Sequence, residues 1–246
     1  MSAPRPRETV PSDHPPYFAG PALLRQTWRD LLYVHWPVAP GSVARLFPRG
    51  TRPDMIDGQT YVGVVGLTMS STRVAGALPI GCMHELNVRL YSTDDLGRRG
   101  VVFLSMDVSR PDMALAARLS LRLPYFWSRL EPIRTAPTVG MHLRRRVPPL
   151  VARVEIEVGE PLARPSALEV FLTARWGLHT RTTQGTAWVP ITHPPFPLHR
   201  ARLLHADRTL LAAAGVAAPD TPPVGVLWSP GVNARIGRPV SLRSAD

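Results

Sequence analysis

"MHELNVRLY", residues 83–91, decides how this chain is read. Successive side chains of an extended strand point to opposite faces, so Leu86, Val88 and Leu90 share one face and Glu85, Asn87, Arg89 and Tyr91 the other. A carboxyl, an amide, a guanidinium and a phenol in one row fit two arrangements, a solvated outer face or the lining of a pocket. The residues alone leave both open.

Working outward, "STDDLGRRG" (92–100) is a turn rich in Asp and Gly, and "VVFLSMDVS" (101–109) reads as a second strand, which makes a hairpin. Ser109 and Asp112, with Pro111 in the first turn, read as the capped start of a helix through "MALAARLSLRL", ending near Pro124. Upstream, "QTWRDLLYVHWPV" (26–38) is a dense apolar run, "GSVARLFPRG" (41–50) supplies one or two helical turns, and "YVGVVGLTM" (61–69) reads as a strand buried on both faces. Downstream, 151–160 alternates cleanly, and 169–180 and 186–193 read as strands of a hairpin, with Pro190 demoting the second to an edge or strand end. The stretch from His193 to His205 reads as extended, Asp207 as the cap of a short helix ending at Gly215, and 224–232 as a late strand. Strands dominate, mostly as hairpins around one clear helix. This predicts an α+β, mainly antiparallel β fold, with its sheet curled into a barrel. Residues 1–20 read as a flexible leader and 21–246 as a single domain.

Composition narrows the function. The 28 prolines imply many loops and short elements. The net charge of +11 comes entirely from arginine, since the chain has no lysine, and the arginines are scattered except for Arg144, Arg145 and Arg146. Without an RNA-binding signature, zinc-finger spacing or basic heptad helix, nucleic acid is not the expected partner. Cys82 is the single cysteine; it excludes an internal disulfide, fits a reducing compartment and reads as a small buried side chain. The start carries no apolar h-region, so no signal peptide is expected, and 61–69 is too short to span a bilayer. The expected location is the cytoplasm, with no membrane partner.

His193, His199 and His205 are separated by proline-rich chain that breaks any converging helical face, so no metal site is expected. No P-loop, dinucleotide fingerprint or Gly-x-Ser-x-Gly occurs, and no cofactor is expected. His35, between Val34 and Trp36, reads as a hydrogen-bonded core residue, and His84 alternates away from Glu85.

"TWRDLLYVHWPV", "PRGTRPDMIDGQTYVGVVGLTM", "HELNVRLYSTDDLGRRGVVFLSMDVSR", "LPYFWSRL" and "ITHPPFPLHRA" together resemble the YqjF-like family of uncharacterised bacterial proteins, from about Gln26 to the region of Trp228. The resemblance implies the fold of the acetoacetate-decarboxylase-like superfamily, a cone-shaped antiparallel β-barrel around a ligand cavity. In acetoacetate decarboxylases a glutamate-bearing strand is followed by a second strand, a Gly-Arg-Glu helix and Gly-Phe-Pro-Lys, whose lysine forms a Schiff base. By that likeness Glu85 is the strand glutamate, Arg118 stands in the place of the helix arginine, and Tyr125 in "LRLPY" stands in that of the lysine. The departure matters most. A Schiff base needs a primary amine, and arginine stays protonated and delocalised. With no lysine, only the α-amino group on the expected leader remains, so Schiff-base decarboxylation is excluded short of that exception.

With a barrel implied, the polar row is expected to face the cavity, with Leu86, Val88 and Leu90 packing outward against the helix. The expected function is binding of a small, anionic, carbonyl- or carboxylate-bearing molecule, with Asn87, Arg89 and Tyr91 as ligand contacts. Any activity would be that of a lysine-independent lyase, isomerase or cyclase. Glu85 would act as acid/base, Arg118 or Arg89 as carboxylate anchor and Tyr125 as donor to a developing oxyanion. The alternative is a noncatalytic ligand sensor or interaction module with a filled interior. Oligomeric state is not legible in the chain.

Overall fold

Alternation of apolar side chains along extended segments needs an apolar partner on each face that alternates. Here several strands find one on both. The computed structural model describes residues 12–16, 18, 20–74 and 79–242. Its strands are β1 (Leu24–Val38), β2 (Thr51–Pro53), β3 (Thr60–Val74), β4 (Met83–Asp94), β5 (Arg99–Val108), β6 (Tyr125–Thr135), β7 (Thr138–Arg145), β8 (Leu150–Pro161), β9 (Gly177–Thr182), β10 (Gly185–Thr192), β11 (His199–Ala206), β12 (Gly225–Ile236) and β13 (Val240–Ser241). Four short helices intervene: α1 (Pro40–Val43), α2 (Pro111–Leu121), α3 (Ala167–Thr173) and α4 (Thr209–Ala213). No described helix is long and apolar enough to cross a membrane. The leader expected over 1–20 lies largely outside the described residues; within it, the Trp176 indole donates to the Ser12 carbonyl (3.0 Å) and Phe18 lies against the Arg235 guanidinium.

All thirteen strands join one sheet, mostly antiparallel, that closes on itself twice. One ring runs β5-β6-β7-β8-β11-β12-β1-β3-β4 and closes through the β4–β5 pairing. The other runs β12-β1-β3-β4-β5-β9-β10 and closes through β10–β12. The two rings therefore share the wall β12-β1-β3-β4-β5. One face of this wall fills the larger ring: Leu32, Val34, Val62, Val64, Leu86, Val88 and Leu90 cluster with Leu130, Met141, Leu143, Val154 and Ile156 and with Leu210 and Leu211 at α4. The opposite face looks into the smaller ring.

This arrangement corrects one expectation. Leu86, Val88 and Leu90 do not pack outward against α2; they belong to the core of the larger ring, so β4 is buried on both sides. Two bulges set which residues face the smaller ring. Asp30, at φ 50°, interrupts the β1–β3 register between Arg29 and Leu32, so Trp28 and Leu31 turn the same way despite their odd spacing. A shift in β4–β5 opposite Arg89 does the same for Phe103 and Met106.

Two local readings also change. The stretch 169–180 is not one strand: Ala167–Thr173 is the helix α3, and β9 begins at Gly177. The reason is a capping box, in which Ser166 Oγ accepts from the Glu169 backbone N–H and the Glu169 carboxylate accepts from the Ser166 N–H (2.6 Å). At α2 the expected Ser109–Asp112 cap does not form. Ser109 Oγ accepts from the His84 backbone N–H (3.0 Å), Asp112 pairs with Arg110, and Arg110 is the capping position, although Pro111 opens the helix as expected. Ser166→Ala removes an exposed cap and is expected to lower stability by about 1 kcal/mol in urea titration; no change would mean that packing alone holds α3.

Candidate functional site

Glu85, Asn87, Arg89 and Tyr91 lie on the face of β4 that looks into the smaller ring, and the first three line a cavity of about 140 Å³ there. Tyr125, the first residue of β6, joins them. Strand registry places Glu85 opposite Leu67, Asn87 opposite Val65 and Arg89 opposite Gly63, with Tyr33 and His35 of β1 on the far side of Val65 and Gly63. Gly63 is required for this packing, because a Cβ there would sit 2.8 Å from the His35 ring and 3.3 Å from the Tyr91 hydroxyl. The remaining lining is largely apolar, with Leu31, Leu67, Met106, Leu123, Val189 and Ile191 among it.

The Glu85 carboxyl is 3% exposed and accepts hydrogen bonds on both oxygens, from Asn87 Nδ2 (2.8 Å) and from the Tyr125 hydroxyl (3.2 Å). Burial pushes it up to about 7, against the opposing pull of those two bonds and of the Arg89 charge. Burial and the neighbouring Glu85 both raise the Tyr125 phenol, which stays protonated. Arg89 donates to the Leu172 carbonyl (3.2 Å) and to the Tyr91 hydroxyl (3.5 Å), both uncharged acceptors. Tyr91 in turn donates to the Leu172 carbonyl (3.0 Å).

Arg118 is elsewhere. It is exposed on α2 and does not line the cavity, so its guanidinium does not face Glu85. The second arginine of the cavity is Arg175, which follows α3 and is paired with the buried Asp54. Asp54 also takes a two-pronged ion pair from Arg99 (2.7 and 2.8 Å). Trp28, Tyr33, His193 and Phe196 complete an aromatic wall not anticipated from sequence. The only local signal for them was the density of aromatic and imidazole groups in 28–36 and 193–196. Burial pulls the His193 imidazole down to about 4, so it is neutral at ordinary pH. His35 is the buried, hydrogen-bonded residue expected, with Nδ1 at 3.0 Å from the Gly225 carbonyl. Cys82, expected to be buried, is exposed just before β4.

A Ser–His–Asp chain exists outside the cavity: Ser92 Oγ lies 2.8 Å from His179 Nδ1, and His179 Nε2 lies 3.3 Å from Asp94. Ser92 is fully buried and is not part of the lining of the cavity that holds Glu85. It ties β9 to β4.

Residues 25–233 match the DUF2071 family, described as an uncharacterized conserved protein. The chain belongs to that family. Within the same sequence neighbourhood, the uncharacterized protein YqjF of Bacillus subtilis (strain 168) is 27% identical over 209 residues, spanning 82% of this chain and 86% of the relative. Solved structures share the fold at lower identity. Acetoacetate decarboxylase from Legionella pneumophila subsp. pneumophila str. Philadelphia 1 superposes with a TM-score of 0.62 at 15% identity, over 98% of this chain and 92% of that one. An acetoacetate decarboxylase-like enzyme from Sphingomonas wittichii RW1 gives 0.62 at 15%, over 92% and 95%. The enduracididine biosynthesis enzyme MppR, complexed with pyruvate, gives 0.63 at 12%, over 93% of each chain. This DUF2071 member therefore has the acetoacetate-decarboxylase-like fold that its sequence motifs imply.

Proposed function

We propose that the cavity binds a small organic molecule carrying a carbonyl and an anionic group, and that Glu85 transfers a proton to and from the carbon beside that carbonyl. The observation that carries this reading is a buried carboxyl on the cavity wall, raised to about 7 and held by two neutral donors. A carboxyl near that value is available as base and as acid at neutral pH. In the ionised form it takes the α-proton; the C–H electron pair becomes the enolate C=C, and the carbonyl oxygen gains the charge. The Tyr125 hydroxyl, released from Glu85 once that group is protonated, donates to this oxygen. Arg89 anchors the anionic group. Returning the proton to the same or another carbon completes an exchange or an isomerisation, and lyase and cyclase chemistry begins with the same step.

The reading is lysine-independent. Among the described residues the cavity lining holds no primary amine, which supports a route that does without a Schiff base. The acetoacetate-decarboxylase-like fold and the pyruvate bound to MppR support a small oxo compound as ligand. The test is deuterium uptake at the α-carbon of a panel of ketones and oxo acids, followed by proton NMR in D₂O. Uptake with the wild-type protein and its loss on Glu85→Gln are expected. Binding without uptake would refute proton transfer and leave a noncatalytic ligand-binding module.

A further inference from the structure

Buried polar atoms with no partner gather around Tyr91. Among the described residues they are Tyr33 Oη, His35 Nε2, Arg89 Nε and Arg175 Nη2. The rings and guanidiniums that carry them are packed on each other. Tyr33 and His35 are 6.1 Å apart, His35 and Tyr91 5.9 Å, Arg89 lies 5.7 Å over Tyr33 and 5.6 Å over Tyr91, and Arg175 lies 4.6 Å over Tyr91. Both guanidiniums line the cavity, and Arg175 is 5% exposed. Unpaired buried N–H donors are costly, and two of them from cations at one end of a cavity call for an anion.

The position of Arg89 along β4 limits what that anion belongs to. Glu85 and Arg89 are four residues apart, about 13 Å between Cα atoms at strand spacing, with Asn87 between them. Arg89 bonds towards Tyr91 and Leu172, away from Glu85, and Arg175 stands over Tyr91 and Phe171, further still. A carboxylate held by these two side chains is therefore remote from the Glu85–Tyr125 pair. An acid whose carbonyl adjoins its carboxylate spans less of that interval than one with two or three carbons between them.

We propose that Arg89 and Arg175 form a carboxylate subsite, and that the cavity takes oxo acids whose carbonyl is separated from the carboxylate by two or three carbons. This rests on the reading of Glu85 given above for its placement of the carbonyl, but the subsite has its own test. Asp54 and the Phe171 carbonyl (2.8 Å) hold Arg175 in position.

Isothermal calorimetry on the wild-type protein with pyruvate, 4-oxopentanoate, 5-oxohexanoate and the amides of the last two reads the subsite without any variant. The longer acids are expected to bind at least about tenfold more tightly than pyruvate and than their own amides. Arg89→Gln and Arg175→Gln, the second leaving Asp54 still paired with Arg99, are each expected to bring acid and amide to equal affinity. Equal affinity of acid and amide in the wild type, or pyruvate as tight as the longer acids, overturns the proposal. Deuterium uptake separates the two readings. Spaced acids that bind as expected without Glu85-dependent uptake keep the subsite and refute proton transfer. Glu85-dependent uptake by the amides with no gain for the acids refutes the subsite and keeps proton transfer.

Discussion

Glu85→Gln is expected to slow α-proton exchange by about 10²–10⁴-fold and, at the same time, to make the protein more stable at alkaline pH. Glutamine keeps the carbonyl that accepts from Asn87 and offers an N–H to the Tyr125 oxygen, so the wall of the cavity is retained while the titrating proton is lost. The stability effect has a definite sign. The folded carboxyl binds its proton more tightly than the unfolded one, since burial raises it from 4.5 to about 7. Its contribution is therefore fully present below the unfolded value and is lost as pH rises through the folded one. At 1.36 kcal/mol per pH unit, the interval corresponds to about 3 kcal/mol between pH 4.5 and pH 8. Urea titrations of both proteins across that range, compared pairwise, cancel every other titrating group. The wild type should lose about 3 kcal/mol relative to the variant; parallel pH profiles would mean that Glu85 is solvated and ordinary.

Asp54→Ala is expected to cost about 3–5 kcal/mol, among the largest effects of any single change outside the apolar core. Asp54 is buried and receives Arg175 on one side and the two-pronged Arg99 pair on the other. Removing it leaves the Arg175 guanidinium buried over Tyr91 and Phe171 with its carboxylate gone, and neither ring replaces a full counter-charge. Denaturant unfolding checks the size. A loss below about 1 kcal/mol, the range of exposed pairs, would show that water reaches the guanidinium and that the site is open there.

The alternation in 83–91 made the chemistry of β4 legible, and family motifs supplied the barrel into which its polar face looks. Three things resisted reading, each for a physical reason. The strands β6 and β7 were missed because Pro132 interrupts the first and the basic run ends the second, so neither shows clean alternation. The helix α3 was hidden by the strand-like "EVFL", although Ser166 and Glu169 held the right spacing for a capping box. The wall made by Trp28, Arg175, His193 and Phe196 comes from segments far apart in sequence, and for Trp28 a bulge at Asp30 reverses the facing that simple alternation assigns. Arg118 was transferred from a family position and lies on the outside of α2, whereas Arg89, read from the strand itself, lines the cavity.

The shared wall β12-β1-β3-β4-β5 has a consequence for substitution. Along β4 the even-numbered residues from Leu86 to Leu90 are held by the interior of the larger ring, while the odd-numbered ones from Glu85 to Arg89 line the cavity. The strand thus carries two interleaved texts, one that fills a core and one that lines a cavity. A substitution at an odd position of β4 that replaces one anion anchor by another alters the second text without disturbing the packing that the first maintains. Swapping only the odd positions of β4 between relatives is therefore a direct way to change the cavity wall while keeping the core of the larger ring.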